Sequence, residues 1–296
     1  MIFGKSAALP RLAGLKTAAV AARRWPLVLH LYALAFIALY AQILWETAQA
    51  WFTNDSYSHG VFIFPIVAWL LWIQRDRIRQ AAVRPSAWGL APLGLGLLLQ
   101  VAGYCLNVKF LAMISLIPAL AGSLLLLRGR ETWERMRFAI YYLAFAAPWP
   151  TVLLNPPSNW IKSVSTTGSV LIMRTLGYPI LQMGNIIEIP GMAVEVADVC
   201  SGFKKLVALI AFAILYGYLF PISRAKRLIL VLAAIPIAVL ANVVRVAGLV
   251  AVAAAGGERA LHIAHDWAEV FVLVIAFCFF MLLGKSLGCK TISLPS

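Results

Sequence analysis

Three side chains in the sequence have the chemistry that acyl transfer needs. Cys200, Arg245 and His265 supply a thiol, a guanidinium and an imidazole. A thiolate attacks a carbonyl carbon, and a nearby imidazole takes the thiol proton and later returns it to the leaving amine. A guanidinium stabilises the oxyanion that develops and lowers the pKa of the thiol. If the fold brings them together, these residues predict a cysteine-based site for cleaving peptide bonds.

Cys200 also has an inert interpretation, because cysteine is often a small buried apolar residue. Its neighbours argue against that interpretation. Asp198, Ser201 and Gly202 make the sequence around the thiol polar rather than apolar. We therefore predict that these three residues support the site.

Arg245 lies inside an apolar run, where a charge costs at least ~2.5 kcal/mol at the centre of a membrane helix. The inert alternative is a side chain that extends to the membrane interface. Asn242 lies one helical turn earlier, on the same face, which predicts a polar cluster. His262 precedes His265 by three residues and competes with it as the catalytic imidazole. Two histidines at this spacing are a weak metal signal, and we predict neither a metal nor a cofactor.

A further polar turn, residues 55–60, precedes an apolar run and contains Tyr57 and His59. These side chains could line the entrance for a substrate, which would make them supporting residues of the site. The alternative is that the turn simply caps the helix that follows.

The composition requires a bilayer as solvent. Hydrophobic residues make up 62% of the chain and charged residues only 12%, against about 45–50% and about 25% in soluble domains. The formal charge of +14 does not indicate nucleic-acid binding, because the basic residues come in short bursts between apolar runs. That distribution is typical of topology signals in membrane proteins.

Eight apolar runs are candidates to cross the membrane. A crossing needs about 17–25 residues, and the second run is shorter than this, so it needs an extension at the interface. We therefore predict an all-α membrane protein, a single domain over residues 1–296, with a bundle of about eight transmembrane helices. The predicted spans are 27–45, 60–73, 88–106, 110–127, 138–154, 203–220, 228–251 and 267–283.

The basic residues give the orientation. Eighteen of the 25 lysines and arginines fall on one side of this bundle, and that side is cytoplasmic by the positive-inside rule. Both termini, including the basic segment 1–26, are then predicted to be cytoplasmic. Cys200, Arg245 and His265 all fall at the outer face, which is the periplasmic face of an inner membrane.

One long outer loop, residues 155–202, leads to Cys200. Its first half, 158–176, mixes apolar residues with serine and threonine, which predicts an amphipathic helix in the membrane interface. A polar ninth span is the alternative, but it would reverse the orientation of all later helices and place their basic loops outside. Alternating residues around Pro190 and Gly191 predict a small β-hairpin in the second half.

These motifs resemble the exosortase/archaeosortase family. The resemblance rests on the cysteine motif at 194–202, the Asn-Val-Val-Arg run at 242–245 and the histidine before the last helix. The turn at 57–60 and the stretch 184–191 also match, so the similarity extends from about residue 55 to the final helix.

The resemblance implies a cysteine protease or transpeptidase of the bacterial inner membrane, with Cys200 as nucleophile, Arg245 as catalytic arginine and His265 as catalytic histidine. It also implies partners: substrate proteins with a C-terminal Pro-Glu-Pro motif, a membrane helix and a basic tail, within membrane lipid and with no nucleic acid. Relatives accompany the production of extracellular polysaccharide. Glu269 departs from the family pattern, in which glycine is common four residues after the histidine, and this keeps His262 as a rival.

Two other functions remain open from the residues alone. Arg245, Asn242 and Asp198 could form the substrate or ion site of a transporter or channel. Alternatively, the chain could be a non-catalytic scaffold in polysaccharide assembly. The three functions differ in whether loss of the thiol matters.

Overall fold

The computed structural model of the chain describes residues 11–54, 56–196 and 203–289. It consists of α-helices and one small antiparallel sheet, which confirms the prediction of an all-α membrane protein. The helices are α1 Arg11–Thr53, α2 Gly60–Ile73, α3 Arg75–Gln80, α4 Leu90–Cys105, α5 Lys109–Ile114, α6 Leu116–Leu127, α7 Arg130–Tyr142, α8 Thr151–Thr175, α9 Phe203–Leu219 and α10 Arg224–Ser286. The strands are β1 Leu181–Met183, β2 Ile186–Ile189 and β3 Met192–Glu195.

Four helical segments of the described chain are long and apolar enough to cross a bilayer: Leu27–Thr53, Ala87–Cys105, Lys109–Leu127 and Arg224–His265. A fifth candidate is the pair formed by Arg130–Ala146 and Thr151–Thr175, which is bent by 77°. Three shorter apolar helices complete the set, at Gly60–Ile73, Leu206–Leu219 and Val270–Ser286. The predicted number of eight crossings stays a prediction.

Small residues set the distance between α4 and α6. Gly96 of α4 is buried, and a Cβ atom built on it would lie 2.6 Å from the backbone nitrogen of Ala119 in α6. Lipid tails are as apolar as the side chains they touch, so close backbone approach between small residues is a main source of helix association in membranes. This contact holds the two helices together.

We expect Gly96→Ala to destabilise the fold by about 1–3 kcal/mol, because the added methyl has no room between two backbones. Gly94→Ala is the matched control on the same helix, since nothing lies within 4 Å of its Cβ position. It should leave stability unchanged or raise it slightly, because alanine favours helix over glycine. Unfolding in mixed micelles with increasing SDS measures both. Equal midpoints for the two variants would contradict the close contact.

The predicted fifth span, 138–154, is wrong as a single helix. α7 ends in a 3₁₀ turn at Leu143–Ala146, and α8 starts only at Thr151. Pro148 and Pro150 lie in the break. Proline has no N–H to donate and restricts the residue before it to extended conformations, so a helix cannot run through this stretch.

α8 is longer than the helix predicted at 158–176, and it packs against α10. Ser165, Thr166 and Ser169 are fully buried on its contact face. Ser169 Oγ lies 3.0 Å from the carbonyl oxygen of Val243 in α10 and donates a hydrogen bond to it. The polar residues that suggested an interface helix therefore face another helix.

The predicted hairpin around Pro190 and Gly191 is present as β2 and β3, with Ile186 opposite Glu195 and Ile189 opposite Met192. A third strand, β1, pairs antiparallel with the other edge of β2, so the element is a three-stranded sheet in the order β1-β2-β3. Gly191 has φ of +91° in the turn, a conformation that glycine adopts without strain.

α10 is a helical hairpin. The helix turns at Gly257, where φ is +69° and ψ is −165°, into an outgoing arm (224–256) and a return arm (258–286). At the open end, Lys226 Nζ donates a 2.7 Å hydrogen bond to the carbonyl of Leu287. Between the ends, Leu230 and Ala234 share a buried cluster with Ala276 and Phe280. The predicted spans 228–251 and 267–283 are the two arms.

Candidate active site

Arg245 and Asn242 lie on the buried face of the outgoing arm. Arg245 is 3% exposed and Asn242 1% exposed. The amide oxygen and nitrogen of Asn242 make no hydrogen bond to the described residues. Beside Asn242 is a void of only about 10 Å³ between α9 and both arms of α10. A buried guanidinium is not a side chain that has extended to the interface, so the inert alternative for Arg245 does not describe the structure.

His265 lies on the return arm of α10. A cavity of about 140 Å³ is lined by His265 and by Val246, the residue after Arg245. Arg245 and His265, twelve residues before and eight residues after Gly257, both lie in the half of the hairpin next to its turn. The convergence of Arg245 and His265 themselves stays a prediction, since Arg245 is not among the residues that line this cavity.

Besides the two arms of α10, the end of β3 and the residue after it line this cavity. Val194, Glu195 and Val196 all line the cavity. Val194 and Val196 are buried in a cluster with Val246 and Val250, which holds the strand against α10. The chain continues from Val196 directly to the cysteine motif. Cys200, together with Asp198, Ser201 and Gly202, lies outside the described residues.

His262 lines the same cavity but differs from His265 in exposure. Its side chain is 78% exposed, and its Nε2 lies 3.9 Å from Oε1 of Glu258, one helical turn earlier. His265 is half-buried. Both imidazoles can therefore reach the cavity, and the structure leaves both as candidates for proton transfer.

Tyr57 and His59 are in a different place, at the break between α7 and α8. Tyr57 Oη donates to the carbonyl of Trp149 at 2.9 Å, and the His59 ring is hydrogen-bonded to the backbone of Phe145. The Trp51 indole nitrogen donates to the carbonyl of Ala146 at 3.1 Å. Carbonyls at a helix break have no partner in their own helix, and in a bilayer they must be satisfied by other groups.

Tyr57 and His59 therefore stabilise the broken helix. The side chain of His59 does not cap α2, and neither Tyr57 nor His59 is among the residues that line the cavity. Burial lowers the pKa of His59, and the hydrogen bond to Phe145 acts in the opposite direction. The lowered pKa favours the neutral ring, which suits a donor to a carbonyl in apolar surroundings.

Sequence reasoning missed Glu195 and Val196 as part of the site. The available signal is the alternation of residues 192–196, which predicts a hairpin but does not indicate which of its edges faces the bundle. No group of three or more histidine, cysteine, aspartate or glutamate residues suited to a metal exists in the part of the chain that the structure describes.

Comparison with protein families gives a match to the family model of transmembrane exosortases over residues 51–284. The match covers most of the chain. The chain belongs to the exosortase family. Neither curated proteins nor solved structures yield a match.

The exosortase match confirms the family that the motifs resemble, and with it a membrane protein of a protease and transpeptidase family. It begins at Trp51, which contacts the break between α7 and α8, and it ends near the end of the return arm of α10. Both the cavity beside His265 and the polar turn with Tyr57 and His59 lie within the matched residues.

Proposed function

We propose that the chain is a cysteine protease or transpeptidase that cleaves exported proteins at the periplasmic face of the inner membrane. The proposed substrates are proteins with a C-terminal Pro-Glu-Pro motif, a membrane helix and a basic tail. Their processing is proposed to accompany the production of extracellular polysaccharide. The observation that supports this most is the cavity shared by His265, Val246 and Val196. It brings together the residue after Arg245, a residue four positions before Cys200, and the imidazole of His265.

Cys200 follows Val196 by four residues, and four residues of chain extend at most about 14 Å. The thiol is the proposed nucleophile. It attacks the carbonyl carbon of the substrate bond to form a thioester, and the amine of the sorting signal leaves with a proton from the imidazole. Water or an acceptor amine then attacks the thioester, releasing the product and restoring the thiol.

Arg245 is proposed to hold the oxyanion of the tetrahedral intermediates. Its burial supports this role, because a fixed charge in surroundings of low dielectric stabilises a developing negative charge more strongly than one in water. A buried guanidinium also favours the thiolate form of a nearby cysteine.

The transporter alternative has weaker support. It needs a path for a solute near Arg245 and Asn242, and the void beside Asn242, at about 10 Å³, has room for no more than about one water molecule. The described chain has one broken span, whereas transporters with discontinuous helices have them in corresponding halves.

The decisive test is a trap for the thioester. The full-length protein is reconstituted in liposomes with a substrate of the proposed type, and hydroxylamine is added. Mass spectrometry is expected to find a single new C-terminus on the substrate. With hydroxylamine this C-terminus is a hydroxamate, in an amount that rises with the hydroxylamine concentration. Without hydroxylamine it is a carboxylate. Cleavage in which hydroxylamine never appears in the product contradicts the acyl-enzyme, and absence of any cleavage contradicts the proposed function.

We expect Arg245→Gln to lower the rate of processing about 100- to 1000-fold, the typical loss when an oxyanion donor is removed. Arg259→Gln is the matched control, because Arg259 is exposed on the same hairpin, and it should stay within about twofold since exposed charges contribute little. The measurement is the cleavage rate in liposomes at equal amounts of folded protein. Processing by Arg245→Gln at the wild-type rate would remove the arginine from the mechanism.

A further inference from the structure

The cavity beside His265 adjoins the end of β3, at Val194 and Glu195, and Val196 after it. Consecutive residues of a strand point to opposite faces of the sheet. Val194, Glu195 and Val196 nevertheless all line the cavity, although Val194 and Val196 are buried and Glu195 is exposed. A space that touches residues of both faces lies beside the backbone of the strand and not against one face of the sheet.

The pairing of β3 with β2 shows which backbone groups of β3 point away from β2. Val196 N–H donates to the carbonyl of Asn185 at 2.9 Å, in register with the pair Glu195–Ile186. In an antiparallel ladder, hydrogen-bonded and non-hydrogen-bonded pairs alternate. Val194 and Met192 therefore also direct their N–H and C=O groups to β2, and Ala193 and Glu195 direct theirs away from it.

β3 is an edge strand within the described chain, because its sheet has the order β1-β2-β3. Ala193 and Glu195 are exposed. An edge of this kind is a template for a further extended chain, which gains main-chain hydrogen bonds from it. The opposite wall of the cavity is α10, with Leu249 and Leu261 beside the two histidines.

We propose that the substrate binds as an added β-strand on the edge of β3, in the cleft between this strand and the histidine-bearing arm of α10. This inference rests on the proposed function. The occupant is the extended segment of the substrate just outside its membrane helix. Backbone groups of Ala193 and Glu195 hold it, which fixes the position of the bond to be cut relative to the chain that continues from β3 to Cys200.

The proposed substrate motif is compatible with this geometry. Proline cannot donate a hydrogen bond, so it is accepted in a strand where its nitrogen faces away from the neighbouring strand. In Pro-Glu-Pro, the two prolines occupy alternate positions and can both face away. The intervening residue then directs its N–H and C=O to β3.

A scan of single backbone esters in the substrate tests the pairing. Cell-free synthesis replaces one amide N–H at a time by oxygen in the outer segment, leaving the side chains nearly unchanged. Esters at alternate positions are expected to lower kcat/KM about two- to tenfold, the effect of one lost hydrogen bond. The intervening esters should have a smaller effect, because they remove no N–H that faces β3 and only weaken the carbonyl of the preceding residue as an acceptor. Equal effects at all positions, or none at any, would overturn strand pairing.

Photo-crosslinking gives a second readout that does not depend on cleavage. A photoreactive residue is placed at Ala193 on the β3 edge or, as the matched control, at Leu181 of β1 on the opposite edge. Both residues are exposed. Substrate is expected to crosslink to position 193 and not to position 181. Equal capture at both positions, or capture at 181 alone, would contradict the assignment.

The two readouts separate this inference from the function on which it rests. Crosslinking at position 193 without cleavage in any variant would refute the protease and leave the strand site. Cleavage without an alternating ester pattern and without crosslinking at 193 would refute strand pairing and leave the protease.

Discussion

Cys200→Ala is expected to abolish processing, with a loss of at least about 10⁴-fold, as removal of a covalent nucleophile gives in other proteases. Without the sulfur no thioester can form, and neither the imidazole nor the guanidinium replaces it. The measurement is the amount of new C-terminus on a co-expressed substrate, by mass spectrometry, with wild-type protein and with the variant.

The chain supplies its own controls for this experiment. Cys105, Cys278 and Cys289 are free thiols in the structure, and replacing each with alanine should leave processing within about twofold. Full processing by Cys200→Ala would end the cysteine mechanism. Loss of processing in all four variants would instead indicate a general sensitivity of the fold to the loss of thiols.

His265→Ala is expected to lower the processing rate about 10²- to 10⁴-fold, the range for removal of a general acid–base group. His262→Ala is the matched control, one helical turn away on the same cavity. It should change the rate less than about threefold, because its side chain is 78% exposed and lies beside Glu258. A half-buried imidazole is better placed to exchange protons with a reacting group shielded from water.

Cleavage rates in liposomes, measured for both histidine variants at matched protein amounts, rank the two residues. A large loss in His262→Ala with an active His265→Ala would transfer the role to His262. Equal small losses would mean that neither imidazole carries the proton, and that water or another group protonates the leaving amine.

The sequence predicted the apolar helices well because length and hydrophobicity decide them. The helix at Gly60–Ile73 has the predicted bounds, and both arms of α10 fall on predicted spans. The break after Ala146 was missed because the span was predicted from its apolar content, and apolar content does not show that Pro148 and Pro150 lack the N–H groups a helix needs. β1 was missed because three residues are too few for an alternating pattern.

For the site, depth along the helices was predictable and lateral contact was not. Counting residues from the basic end of each helix places Arg245 and His265 at one level. That Val196 lines one cavity with Val246 and His265 depends on how the sheet packs against α10, and these contacts join residues some fifty or more positions apart. The partners of Tyr57 and His59, at 145–149, are more than eighty residues away in sequence, so no local pattern could indicate them.

The length of the outgoing arm has a consequence for substrate choice. Arg245 follows Arg224 by 21 residues, or about 32 Å of helix, nearly the thickness of the hydrocarbon layer, which is about 30 Å. On the proposed topology the hairpin acts as a ruler, with one end at the inner boundary of the lipid and the reactive groups at the other. The length of the substrate's own membrane helix then determines which of its peptide bonds lies beside the reactive groups. One more helical turn between its basic tail and its outer segment would carry the bond about 5.4 Å past the thiol.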